Sequence, residues 1–206
     1  MSLFMPTIHY RGGFIYTNNK SIMEFRDYQI EIIEKGCRVL KDKGLLYLSM
    51  EVRTGKTLTS FGICEGLGVS NVLFITKKKA MSSITSDYHM MSPLFNIHII
   101  NYESLHKIPD TKWDVIICDE AHSMGALNKP NKRAKMVKEL IQVNRCRLIL
   151  MSGTPTPESF SQMYHQVYGH PSNPFSQYKS FYKWAKDYIN VRQRYINSML
   201  INDYSA

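Results

Sequence analysis

The chain has 206 residues, 44% of them apolar and 21% charged, a balance that excludes disorder over most of its length and suits one large buried core. Its 26 Lys and Arg against 17 Asp and Glu leave a formal net charge of +9, which favours a polyanionic partner without naming one. Cys37, Cys64, Cys118 and Cys146 stand far apart with no Cys-x-x-Cys pair, so neither a zinc ribbon nor a dense disulfide framework is expected.

No apolar run reaches the length of a membrane span, and the N-terminus lacks the ordered regions of a signal peptide. A cytoplasmic protein is expected, or a nuclear one if the source has a nucleus, with no membrane partner and as a monomer.

In chain order, Ile8 to Tyr16 places Gly12-Gly13 between two strand-like triplets. Glycine tolerates the positive φ of two-residue turns, so an N-terminal β-hairpin flap is predicted over residues 1–20. A helix follows at 27–42, with Ile30, Ile33, Cys37 and Leu40 on one face, Asp27 placed to cap its start and Gly44 beyond its end. Five apolar runs come next: 45–49, 72–76, 97–100, 115–118 and 148–151. Runs without alternation suit strands buried on both faces.

Helices predicted at 56–67, 79–90 and 132–143 lie between these runs. The alternation implies an α/β fold, a mostly parallel sheet with helices on both faces. After Pro155 and Pro157 a helix is expected to about Tyr168, then a loop at 170–174 and a further helix at 175–190. The last dozen residues are polar and read as loosely ordered.

Two constellations carry chemistry. The strand 45–49 runs into Met50-Glu-Val-Arg-Thr-Gly-Lys-Thr57, and Lys56 opens the next helix, where backbone N–H groups and the helix dipole favour a phosphate. In that setting Gly55 lets the backbone approach, Lys56 reaches the terminal phosphates and Thr57 offers a hydroxyl to Mg²⁺. Met50 replaces the glycine that usually begins such a loop.

The second constellation is Asp114-Val-Ile-Ile-Cys-Asp-Glu-Ala-His122. Its strand delivers Asp119 and Glu120 at a carboxyl end, the side of an open α/β sheet where ligands bind. Asp119 suits Mg²⁺, and Glu120 suits orienting and deprotonating an attacking water. A solvated Asp-Glu pair capping the following helix is the plain alternative for this constellation in isolation, as a chance Gly-Lys-Thr is for the first.

Together these residues resemble the first RecA-like domain of a superfamily two helicase or translocase, with a DEAH-type second motif. Phe25-Arg-Asp-Tyr-Gln29 resembles the Q motif, and the resemblance implies that Gln29, with Arg26 beside it, reads adenine. Val72-Leu-Phe-Ile-Thr-Lys77 and Ile99-Ile-Asn-Tyr-Glu-Ser-Leu105 resemble the nucleic-acid-contacting segments, and Leu150-Met-Ser-Gly-Thr-Pro155 resembles the third motif. The last two look most like Swi/Snf-type double-strand translocases, phage-borne relatives included.

The resemblance implies a RecA-like P-loop NTPase fold over residues 21–170, with 171–206 as a C-terminal helical extension. It also implies ATP and Mg²⁺ as cofactors and double-stranded DNA as partner. By the same resemblance Arg53, Thr54, Gly55, Lys56 and Thr57 hold the nucleotide. Lys56, Asp119 and Glu120 are catalytic, Thr57 and Asp119 hold Mg²⁺, Lys77, Lys78, Tyr102 and Ser104 touch nucleic acid, and His122, Ser152 and Thr154 couple the two sites.

Arg53 stands where Swi/Snf-type loops usually carry glycine, and an outward placement is expected for it. Nothing after the third motif resembles the arginine-finger motif of a second RecA-like domain, so little turnover is expected from these 206 residues alone. A nucleotide-gated nucleic-acid-binding module without hydrolysis is the alternative, and a P-loop kinase a more distant one. The stretch Phe175 to Tyr188 interleaves aromatics with Lys179, Lys183 and Lys186. Base stacking is conceivable there, but the stripe Phe181, Trp184, Ala185 and Tyr188 favours core packing.

Overall fold

Sorted by face, the side chains of the central strands divide cleanly between two cores. The computed structural model describes residues 9–11, 14–17, 20–196 and 199–205. Strands β1 (His9–Arg11), β2 (Phe14–Thr17) and β3 (Lys20–Glu24) form an antiparallel sheet in the order β1-β2-β3. Arg11 pairs with Phe14, as a two-residue turn requires, while Gly12 and Gly13 themselves lie outside the described residues.

Helix α1 (Asp27–Asp42) leads into β4 (Leu45–Ser49), α2 (Lys56–Leu67), β5 (Asn71–Thr76), α3 (Met81–Met91) and β6 (Asn96–Asn101). Then come β7 (Val115–Cys118), α4 (Lys132–Asn144), β8 (Arg147–Ser152), α5 (Gln162–Val167) and α6 (Phe181–Tyr188). Strands β4 to β8 make one wholly parallel sheet in the order β4-β8-β7-β5-β6.

Period two decides which core each side chain enters. Val72, Phe74, Val115, Ile117, Ile149 and Met151 join Ile33 and Leu40 of α1, Phe61 and Ile63 of α2, and Ile84 of α3. Their neighbours Leu73, Ile75, Ile116, Cys118, Leu148 and Leu150 face the other way, onto Val137 of α4, Tyr164 of α5 and Trp184 of α6. Both faces are covered, which is why these runs show no polar alternation.

Three local expectations change. Residue 26, not Asp27, caps α1: the Arg26 N–H donates to the Gln29 side-chain carbonyl at 3.1 Å, and Asp27 sits in the first turn. The final helix is shorter than expected. Residues before Ser180 form turns held by Asn173, whose side-chain oxygen accepts the Phe175 N–H at 2.9 Å.

Third, the described residues near the chain end are ordered into strands, and the segment from 171 onward is not purely helical. Strands β9 (Arg192–Ile196) and β10 (Met199–Asp203) pair antiparallel, and Arg194 lies 2.6 Å from Asp203 across them. The Tyr204 carbonyl accepts from the Ser159 and Ser161 hydroxyls, and its ring packs on Phe181, fastening this end to the domain.

The C-terminal aromatic stripe packs within its own domain. Phe181, Trp184 and Ala185 are buried, and Trp184 stacks on Phe160 with centroids 5.7 Å apart. Tyr188 continues the stripe, stacking on Trp184 with centroids 5.4 Å apart while part of its ring stays exposed, and Tyr182 is exposed beside Tyr204.

Candidate nucleotide site

The phosphate loop leaves the carboxyl end of β4, Asp119 to His122 leave that of β7, and the third motif leaves that of β8. Gly55 caps α2 in the left-handed region, at φ 80° and ψ 33°, a conformation glycine adopts without a Cβ penalty. A Cβ there would also meet the Gln29 amide nitrogen at 2.6 Å. Arg53 is left-handed too, at φ 65°, which explains the usual preference for glycine at its position. Its side chain is exposed.

The loop uses its own groups to hold its shape. Lys56 Nζ donates to the Met50 and Glu51 carbonyls at 3.0 and 2.8 Å, and the Thr54 hydroxyl donates to Glu51 O at 2.7 Å. Thr57 is half-buried in the first turn of α2. Tyr28, unassigned in the sequence, donates its hydroxyl to Thr54 O at 2.9 Å and is neighboured by the exposed Arg26.

Gln29 is buried rather than open to a base. Its amide joins the Arg26 N–H to the Gly55 carbonyl (3.5 Å) and the Thr59 hydroxyl (3.3 Å), tying α1 to the phosphate loop.

Across the adjacent strand β8 lies the carboxylate pair. Asp119 Oδ2 accepts from Thr76 Oγ at 2.8 Å, and burial raises the Asp119 carboxyl above its ordinary range against the opposing pull of Thr76 and Lys56. Thr76 is a site residue that sequence reasoning passed over. The register Ile75 to Cys118 sets it beside Asp119, a relation visible only once the strands are paired.

Glu120 is held at φ 51° and ψ 46°, a strained conformation for a non-glycine residue. Its carboxylate lies 3.3 Å from His122 Nδ1, and the same nitrogen lies 2.9 Å from Ser152 Oγ. Ser152, fully buried, also accepts the Thr154 N–H at 3.1 Å, while the Thr154 side chain is exposed. A Cβ on Gly153 would lie 3.2 Å from Val52 and 3.7 Å from Lys56 Nζ, so the third motif abuts the phosphate loop. Glu120, His122 and Ser152 thus form one polar chain from β7 to β8.

The nucleic-acid set divides. Lys77 and Lys78 follow β5 at the same carboxyl end, half-buried and exposed respectively, and Ser104 is half-buried. Tyr102 is withdrawn from the set. It is only 1% exposed, its hydroxyl donates to the Asp119 carbonyl at 2.8 Å, and the Arg133 guanidinium lies 5.3 Å from its ring centroid. An aromatic in a strand-to-turn segment reads the same whether it faces solvent or core, and here the core claimed it.

Magnesium fits this donor set. Asp119 is a hard oxygen ligand whose carboxyl is raised chiefly by burial, and Thr57 offers a hydroxyl oxygen from the first turn of α2.

The model of the SNF2-related domain matches residues 68–202, well over half of the chain. The chain belongs to the SNF2-related domain family. The matched stretch of this SNF2-related domain begins just after α2 and runs through the aromatic α6 into β10, so the phosphate loop stands on its own geometry. The CHD3-type chromatin-remodeling factor PICKLE of Arabidopsis thaliana is 25% identical over 122 residues, which are 57% of this chain and 8% of PICKLE.

Two solved structures share the RecA-like fold. The Sulfolobus solfataricus SWI2/SNF2 ATPase core in complex with dsDNA superposes with a TM-score of 0.61 at 15% identity, over 80% of this chain and 39% of that one. The SWI2/SNF2 ATPase core domain of the same organism gives 0.59 at 15% identity, over 88% and 42%. The chain therefore spans less than half the length of each.

Proposed function

We propose that this SNF2-related domain is the ATP-binding part of a double-strand DNA translocase that hydrolyses ATP by in-line water attack on the γ-phosphate. The observation that carries the reading is the polar chain Glu120–His122–Ser152, which joins the carboxylate pair to the loop abutting Lys56. On ATP binding Lys56 exchanges the Met50 and Glu51 carbonyls for phosphate oxygens, while Gln29 ties α1 to Gly55 and holds the loop that receives them. Glu120 orients the water and accepts its proton. Thr57 and Asp119 would hold Mg²⁺, which would supply compensating positive charge at the phosphates.

Lys77, Lys78 and Ser104 meet the DNA backbone, and Ser152 and Thr154 pass the state of the nucleotide to that grip. The dsDNA complex of the Sulfolobus ATPase core supports double-stranded DNA as the track. Turnover depends on a second RecA-like domain that supplies an arginine to the developing charge, a contribution of about 10³ to 10⁵ in related enzymes.

Phosphate release measured with and without duplex DNA tests this, on the 206 residues alone and joined to such a domain. The reading predicts turnover only in the joined protein, stimulated by duplex. Strong stimulated turnover by the 206 residues alone contradicts the two-domain requirement, and silence in both contradicts the motor.

A further inference from the structure

At the amino ends of the strands, the pole opposite the nucleotide site, lies a cavity of about 1080 Å³. Its walls come from four separated stretches: the end of α1, the loop before β7, the second half of α4 with the start of β8, and residues 164–179. Seven cationic side chains line it against two carboxylates. Lys41 and Lys43 come from α1 and its exit, Lys112 from the loop, Lys138, Arg145 and Arg147 from α4 and β8, and Lys179 from the segment before α6.

Both carboxylates are engaged. Asp114 Oδ2 accepts the N–H groups of Ser70 and Asn71 at 2.9 Å each, and Asp42 lies 3.0 Å from Lys43. The helices α1 and α4 both end at the cavity, adding roughly half a negative charge apiece. After these are subtracted, an excess of about four positive charges remains at one pole. That is close to half of the formal +9 of the whole chain. Capping of two helix ends does not need so many cations. No sequence run displays the cluster, because folding assembles it from positions far apart.

We propose that this cavity is a second site for a nucleic-acid phosphodiester backbone, distinct from the contacts of Lys77 and Lys78. The choice of polyanion rests on the reading of the chain as a DNA-binding domain. The volume exceeds the roughly 300–1,000 Å³ typical of small-ligand pockets, and cations on several walls suit a succession of phosphates better than a single ion.

The longest strands have six residues, a span of about 20 Å. A straight duplex lying across their carboxyl ends cannot also enter the cavity at their amino ends. The second site therefore holds a second duplex segment, and the domain bridges two.

The test uses two short duplexes, one carrying a donor dye and one an acceptor, mixed with the 206-residue chain. Energy transfer between them is expected. The triple variant Lys41→Gln, Lys112→Gln and Lys179→Gln changes exposed side chains and is expected to lose the transfer while still binding one duplex by anisotropy. Its plot of log K against log salt is expected to be shallower by about 0.9 for each lysine that touched a phosphate. A triple variant with parental transfer and parental slope overturns the second site. A parent that binds a duplex but never bridges two overturns it as well. The variant Lys77→Gln, Lys78→Gln probes the first site separately, so failure there counts against the motor reading and not against the cavity.

Discussion

The loops at the carboxyl ends of the sheet and the aromatic cluster behind it are built on opposite terms. In the loops, Arg53 and Glu120 are bent into left-handed backbone, and Lys56 bonds to loop carbonyls that phosphate oxygens can replace. In the cluster, Tyr164, Phe175, Phe181 and Trp184 fill the space between α5, α6 and the sheet and leave nothing to exchange. The difference teaches where stability and function are stored. Changes in the cluster are expected to unfold the domain, whereas changes in the loops are expected to alter ligand response with little loss of fold.

The largest effect belongs to the cluster. Trp184→Ala is expected to cost about 3–5 kcal/mol, a large share of the roughly 5–15 kcal/mol that holds a typical domain. Urea denaturation checks this, through a lower midpoint at unchanged slope. A loss under 1 kcal/mol would remove the contrast.

His165 extends the same comparison to pH. Burial among Tyr164, Tyr168 and Phe181 lowers its pKa from 6.5 to about 4. The folded state therefore binds its proton less readily than the unfolded chain. The stability this provides is present above pH 6.5 and is lost as pH falls toward 4, with a limiting slope of about 1.4 kcal/mol per pH unit for one proton. Denaturation at a series of pH values is expected to show that His165→Phe flattens this part of the profile, and an unaltered profile would place the acid sensitivity elsewhere.

Two smaller effects belong to the loops. Gly55→Ala places a Cβ in left-handed backbone and against Gln29, at an expected cost of about 1–2 kcal/mol. Melting temperature and nucleotide affinity are both expected to fall. A variant that loses neither would mean that Gln29 does not hold the loop.

Asp119→Asn is expected to act in the opposite direction. The Asp119 carboxyl is raised by burial, so its ionised form weakens the fold and removing the charge stabilises the domain. Without nucleotide or Mg²⁺, melting at pH 7 is expected to rise by about 2–4 °C for each kcal/mol relieved. The gain is lost in acid, where the parent carboxyl is itself protonated. A lower melting temperature in the variant would show that the pair is already compensated within the protein.

What the sequence revealed follows from how far apart the cooperating residues lie. The parallel strands were legible because each is a short apolar run of its own. The phosphate loop was legible because Gly55, Lys56 and Thr57 adjoin one another at a strand-to-helix junction. Thr76 was not, because its link to Asp119 depends on strand register across 43 positions. The β9–β10 hairpin escaped because its described side chains are mostly exposed and carry no apolar alternation. Tyr102 was misread because burial, not residue type, decides whether an aromatic meets solvent or core. The basic cavity is the extreme case, with lysines and arginines gathered from four stretches.

The account turns on Lys56 leaving the Met50 and Glu51 carbonyls to take up phosphate beside Asp119 and Glu120. Calorimetric titration of Mg–ATP into the parent chain, Lys56→Ala and Glu120→Gln addresses that directly. The account predicts binding by the parent, a loss of about ten- to a hundredfold in Lys56→Ala, corresponding to about 1.5–3 kcal/mol for a charge-assisted bond, and parental affinity in Glu120→Gln. Equal affinity for the parent and Lys56→Ala would contradict it.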